Sequence, residues 1–93
     1  MIRSFADSDT EGFFIDGNCP AKWRRFQAVA KRKLDMVHAA TSLNDLRSPP
    51  GNRLEALKRD RRGQHSIRVN DQWRVCFRWT DRGPEDVEIA DYH

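Results

Sequence analysis

Apolar residues change their spacing midway along this chain. Ile2-Arg3-Ser4-Phe5 alternates apolar and polar, which predicts a short opening strand. Asp9-Thr10 then lead into Glu11-Gly12-Phe13-Phe14-Ile15, one or two helical turns ended near Gly17-Asn18. Pro20 suits the first turn of a longer helix running to about Ala40. Its apolar positions Trp23, Phe26, Ala30, Leu34 and Val37 recur at spacings of three or four, the signature of one buried face. Thr41-Ser42 stop this helix, and Ser42 to Leu46 add a further turn. Ser48-Pro49-Pro50-Gly51-Asn52 is the strongest break, because neither proline extends a helix or joins a ladder.

Beyond the break the period falls to two. Leu54, Ala56 and Leu57 predict a short strand, followed by the polar loop 58–63. His65, Ile67 and Val69 alternate with Ser66 and Arg68; Asn70-Asp71 is a turn. Trp73, Val75, Phe77 and Trp79 then alternate with Arg74, Cys76 and Arg78. Asp81-Arg82-Gly83-Pro84 turns the chain into a last strand through Val87 to Ala90. The class expected is α+β: a largely antiparallel meander with two N-terminal helices packed on one face.

Ninety-three residues suit one domain, 1–93, and are too few for two. Although the mean hydropathy is −0.87, three Trp, five Phe and one Tyr supply large core side chains. Neither a membrane span nor a signal peptide is visible, so a soluble, cytoplasmic chain with reduced thiols is expected. The two cysteines and three histidines lack metal-ligand spacing, and no phosphate-binding glycine loop or G-x-S-x-G is present. No metal or cofactor is therefore expected, and Cys76 has no nameable partner for a nucleophilic role. His38 reads as a helix C-terminal or surface residue, and His65 as a core or sheet-edge one.

The net charge of +3 conceals a strong asymmetry. Residues 47–82 carry ten Lys/Arg against four acids, with Lys58 the only lysine, while residues 83–93 carry four acids and no Lys or Arg. Arginine's planar fork suits bidentate phosphate contacts, so a polyanion is the first partner to consider. If the large apolar residues of the meander point at the helices, Arg68, Arg74 and Arg78 share the other face. The loop residues Lys58, Arg59, Arg61 and Arg62 flank it. The bland alternative is the solvated face of a half-exposed sheet. The chain closes on Asp91-Tyr92-His93, which in isolation reads as a frayed end. Set against an arginine-rich face, however, these residues suit RNA cleavage by transesterification. That reaction needs a base for the ribose 2′-hydroxyl, charge stabilisation at phosphorus and an acid for the leaving 5′-oxygen.

Three stretches, 47–58, 64–77 and 87–93, together resemble the HigB toxins, a branch of the RelE-type toxins of type II toxin–antitoxin systems. The resemblance extends over nearly the whole chain, from Met1-Ile2-Arg3-Ser4-Phe5 onward. It implies a RelE-like fold and ribosome-dependent cleavage of mRNA in the A site of the 30S subunit. It also implies neutralisation by a HigA-type helix-turn-helix antitoxin, through which alone operator DNA would be bound. His93 would transfer protons, Tyr92 would stack on or hydrogen-bond the base or ribose, and Asp91 would orient. Arg74 and Lys58 would steady the scissile phosphate, with Arg59, Arg61, Arg62, Arg68 and Arg78 along the RNA. The chain departs from the pattern twice. Glu55 stands where some members carry a histidine, and Arg59 replaces the glycine of a common Lys-Gly-Asp. Those departures keep open an alternative, a weakly active or non-catalytic RNA- or ribosome-binding module that acts mainly as antitoxin partner and co-repressor.

Overall fold

A computed structural model describes residues 1–91. It is an α+β arrangement of two α-helices and a four-stranded antiparallel sheet in sequential order β1-β2-β3-β4. The helices are α1 (Ser8–Asp16) and α2 (Gln27–Ala39); the strands are β1 (Glu55–Ala56), β2 (His65–Arg68), β3 (Trp73–Thr80) and β4 (Gly83–Asp91).

Helix α1 starts earlier than the sequence suggests because Asp7, not Asp9, caps it, its carboxylate accepting from the Thr10 N–H at 2.7 Å. It ends at Gly17 in the left-handed region, and the Thr10 hydroxyl oxygen accepts from the Ile89 N–H of β4 at 3.1 Å. The predicted helix from Pro20 divides in two. Ala21–Phe26 wind as a 3-10 helix, and α2 begins only after Phe26 leaves helical geometry (φ −126°, ψ 26°). The reason is aromatic packing: in a three-residue turn Trp23 and Phe26 fall on one side, where both contact the Trp73 ring, at 6.3 and 5.9 Å.

Phe13, Trp23, Ala30, Leu34, Val37 and Leu46 form one buried cluster with Ile67, Val75, Phe77, Val87 and Ile89. The period-two alternation of the meander therefore does set which face of the sheet meets the helices. Between β3 and β4 the register shifts by one residue around Asp86, a bulge with φ 53°. Pro84, read as part of a turn, lies within β4 opposite Trp79. The predicted opening strand reduces to a single parallel bridge, Phe5 to Val87, supported by bonds between residues 3–6 and β4. Gly83 (φ 121°) is required there, since a Cβ would sit 2.7 Å from the Met1 carbonyl oxygen. His38 lies in the last turn of α2, as its position suggests, but half-buried: its Nδ1 accepts from the Ile2 N–H at 3.1 Å and its ring packs on Phe14. His65 stacks on Phe77 within the sheet.

Polar contacts of Asn52 tie α2 to the proline-rich break. Lys33 is buried, and its ammonium donates to Asn52 Oδ1 at 2.6 Å. Burial, followed by the neighbouring Arg32 and Arg68 charges, pushes the Lys33 pKa below its ordinary value. Asn52 Nδ2 in turn donates to the Leu46 and Ser48 carbonyls at 3.2 and 3.3 Å. Asn52 Nδ2 also approaches Met36 Sδ of α2 at 3.8 Å, and Asn52→Ala, which removes all four contacts, should cost about 2–4 kcal/mol by urea denaturation. Asn44→Ala on the exposed surface should cost about 0.5 kcal/mol or less.

Candidate nucleic-acid interface

The face of the sheet turned away from the helices is built in rows. Glu55, Ser66, Cys76 and Glu88 oppose one another across β1 to β4, and Arg68, Arg74 and Ala90 form the next row. This is the face on which the sequence places Arg68, Arg74 and Arg78, but it is not an open polar surface. Ser66, Arg74, Cys76 and Ala90 are all buried, and Leu57, which follows β1, packs with Cys76 and Ala90 in a second small cluster. The Leu57 N–H donates to the Gln64 carbonyl at 2.9 Å, closing the loop that joins β1 to β2.

Arg74 occupies the centre of this face and is only 8% exposed. Its Nε donates to Ser66 Oγ at 2.6 Å, and its Nη2 to the Arg53 carbonyl at 2.7 Å and the Ser66 carbonyl at 3.4 Å. A buried guanidinium needs such acceptors because its hydration has been lost. Arg53 offers its carbonyl from a left-handed backbone (φ 46°) immediately after the 3-10 turn Pro50–Asn52.

The other predicted cations divide into two groups. Arg61 Nη1 lies 2.5 Å from Glu88 Oε1 and also donates to Gln64; Arg68 pairs with Asp71; Arg78 Nε lies 3.7 Å from Asp86 Oδ2. The basic face is thus more neutralised than the sequence suggests, because the turn residue Asp71, the bulge residue Asp86 and the β4 residue Glu88 bring acids to it. Lys58, Arg59 and Arg62 are exposed and form no ion pair among the described residues. They frame the 3-10 turn Arg59–Arg61, beside an open depression lined by Glu55, Ala56, Lys58 and Arg59. Arg59 holds φ 56°, the conformation a glycine would adopt there without strain, so its substitution keeps the left-handed turn and adds a charge. A Cβ on Gly63 would lie 2.9 Å from Arg78 Nη1, which shows how closely the guanidinium of β3 approaches this loop.

Asp91 lies opposite Trp73, and its carboxylate accepts from Gln72 Nε2 at 2.9 Å. By the alternation of β4 it faces away from Ala90, the residue opposite Arg74. Tyr92 and His93 lie outside the described residues. Sequence patterning did not single out Ser66, Arg53, Asn52 or Glu88. Ser66 was detectable by its parity with Arg74, whereas the Arg53 carbonyl has no sequence signature. Among the described residues no group of three His, Cys, Asp or Glu is placed to hold a metal ion, and no helix is long and apolar enough to cross a membrane.

Residues 3–93 match the HigB-like toxin family, described as the RelE-like toxin of type II toxin–antitoxin system HigB. The chain belongs to that family: it is a RelE-like toxin of a toxin–antitoxin pair, and an antitoxin is its partner. It is 52% identical over 85 residues to Toxin HigB-1 of Vibrio cholerae serotype O1, covering 87% of this chain and 86% of that one. It is also 49% identical over 51 residues to an uncharacterized protein of Haemophilus influenzae, covering 55% of this chain and 50% of that one.

Burial raises the Cys76 thiol from 9.0 to about 11, so it is protonated and poorly nucleophilic near neutrality. In the native protein Cys76 should resist iodoacetamide at about pH 8 while half-buried Cys19 reacts, as peptide mass spectrometry would show. The unfolded thiol ionises near 9.0 and the folded one near 11, so unfolding releases a proton between them. This group's contribution to stability should accordingly fall as pH rises through that window, and Cys76→Ala should abolish that component in denaturation curves.

Proposed function

We propose that this toxin is a ribosome-dependent endoribonuclease that cuts translated mRNA in the A site, and that a HigA-type antitoxin restrains it. The observation that carries the reading is the immobilised Arg74 guanidinium. It sits one row from the end of β4, opposite Ala90, on the face that Leu57 covers; the loop that follows Leu57 carries Lys58, Arg59 and Arg62 open to a polyanion. A fixed cation in a poorly solvated site stabilises charge developing on a phosphorane better than one that must be gathered from water.

In this reading the 2′-hydroxyl of the message attacks the adjacent phosphorus and the 5′-oxygen leaves. His93 transfers the proton, imidazole being suited to that work near neutral pH. Tyr92 stacks on or hydrogen-bonds the base or ribose, and Asp91, bonded to Gln72, holds the strand end from which the two last residues extend. Arg74 and Lys58 take the phosphate oxygens. Arg59 and Arg62, with Arg61, Arg68 and Arg78 behind their carboxylate partners, follow the backbone on either side. Glu55, exposed in β1, supplies no imidazole, so a two-histidine mechanism is not open from that position. Operator DNA is reached only through the antitoxin, and the site of action is cytoplasmic.

Expression without antitoxin should arrest growth and yield new 5′ ends within translated messages. His93→Ala should slow cleavage about 10²–10⁴-fold and relieve the arrest. Growth arrest with no new ends, equally strong after removal of residues 91–93, would instead identify a non-catalytic ribosome-binding module.

A further inference from the structure

The arrangement around Arg74 continues inward beyond the residues that would meet RNA. Ser66 is fully buried on β2 and cannot itself meet solvent or substrate, yet its hydroxyl oxygen receives the Arg74 Nε–H at 2.6 Å. The second acceptor, the Arg53 carbonyl, is available only because Arg53 holds a left-handed backbone that an L-residue adopts rarely. That conformation is fixed from behind. Asn52, the preceding residue, is fully buried and bonded to Lys33 of α2 and to the carbonyls of Leu46 and Ser48. Helix α2, the turn Pro50–Asn52, β2 and β3 thus converge on one guanidinium.

We infer that Ser66 and the Asn52–Arg53 turn are positioning elements of the endonuclease, an orienting cradle that sets the plane of the Arg74 guanidinium for the transition state. The Ser66 hydroxyl holds the group at Nε while the Arg53 and Ser66 carbonyls hold it at Nη2, and bonds at two of its nitrogens fix the plane more firmly than bonds at Nη2 alone. Orientation of this kind acts on the rate of the chemical step and leaves the affinity for the ribosome largely unchanged. Ser66 touches no substrate in this arrangement; it works through Arg74. The inference rests on the endonuclease reading above.

The test uses the intact chain on ribosomes programmed with mRNA, under single-turnover conditions. Ser66→Ala should lower the maximal rate about tenfold to a hundredfold, with the half-saturating ribosome concentration little changed. Ser66→Thr, which keeps the hydroxyl, should recover most of the rate. The Ser66→Ala/Arg74→Ala double variant should be no slower than Arg74→Ala alone, because the first loss acts through the second residue. A wild-type rate in Ser66→Ala, or losses that multiply in the double variant, would overturn the inference. A second measurement needs no variant. In NMR of the wild-type protein the Arg74 Nε–H should exchange with solvent far more slowly than that of exposed Arg62, and equal rates would overturn the cradle. If the wild-type chain cuts nothing on programmed ribosomes, the endonuclease reading fails, while the exchange measurement still reports on the cradle itself.

Discussion

Withdrawing the Arg74 guanidinium from water constrains more of this molecule than any other polar contact. A permanent cation at 8% exposure is tolerated only where acceptors replace its hydration. A serine on the adjacent strand offers its hydroxyl and its carbonyl, and a strained turn presents another main-chain carbonyl. The turn holds because Asn52 is bonded to the buried Lys33 ammonium. A helix on one side of the sheet and an arginine on the other are thereby coupled through three residues. Lys33 is unusual in this chain of contacts, since a neutral amide, not a carboxylate, is the acceptor given to it. Its charge therefore adds to the positive potential near Arg68 instead of cancelling it.

The two faces of the sheet divide the work. The inner face is conventional core, with Val75, Phe77, Val87 and Ile89 fully or almost fully buried against helical side chains. The outer face is partly roofed by Leu57 and the loop that follows, which explains how Cys76 and Ser66 come to be buried on a side that the alternation assigns to solvent. Around that roof the charges are graded. Arg61, Arg68 and Arg78 have acidic partners that a phosphate must displace, while Lys58, Arg59 and Arg62 have none among the described residues. On the endonuclease proposed above, rim cations of the second kind would govern approach and salt dependence, and the fixed guanidinium would act at the reacting phosphate.

Much of the fold was legible in the sequence because period two and period three-to-four are direct consequences of side-chain direction. Trp73, Val75, Phe77 and Trp79 announced β3 and its inner face, and Ala30, Leu34 and Val37 announced α2. What escaped depends on contacts distant along the chain. The split of the predicted helix at Phe26 follows from aromatic packing against Trp73, forty-odd residues away. The isolated bridge at Phe5 depends on β4, and the acids that neutralise Arg61 and Arg78 arrive on Glu88 and Asp86. For the candidate site, residue type pointed to Arg74 and Lys58, but nothing in the sequence distinguishes a buried, held arginine from a solvated one. A main-chain acceptor such as the Arg53 carbonyl leaves no mark in any side-chain pattern.

The thin N-terminal segment laid along β4 has a meaning beyond its single bridge. Residues 3–6 occupy hydrogen-bonding groups on the outer margin of the longest strand, and at the opposite margin β1 is only two residues long. Among the described residues, the covered margin of β4 and the short β1 leave little extended border onto which a foreign strand, or another copy of this chain, might be added. A toxin exists in two circumstances, sheltered by its antitoxin or abruptly alone. Short and partly covered borders of this kind disfavour strand-to-strand addition when the molecule is unaccompanied.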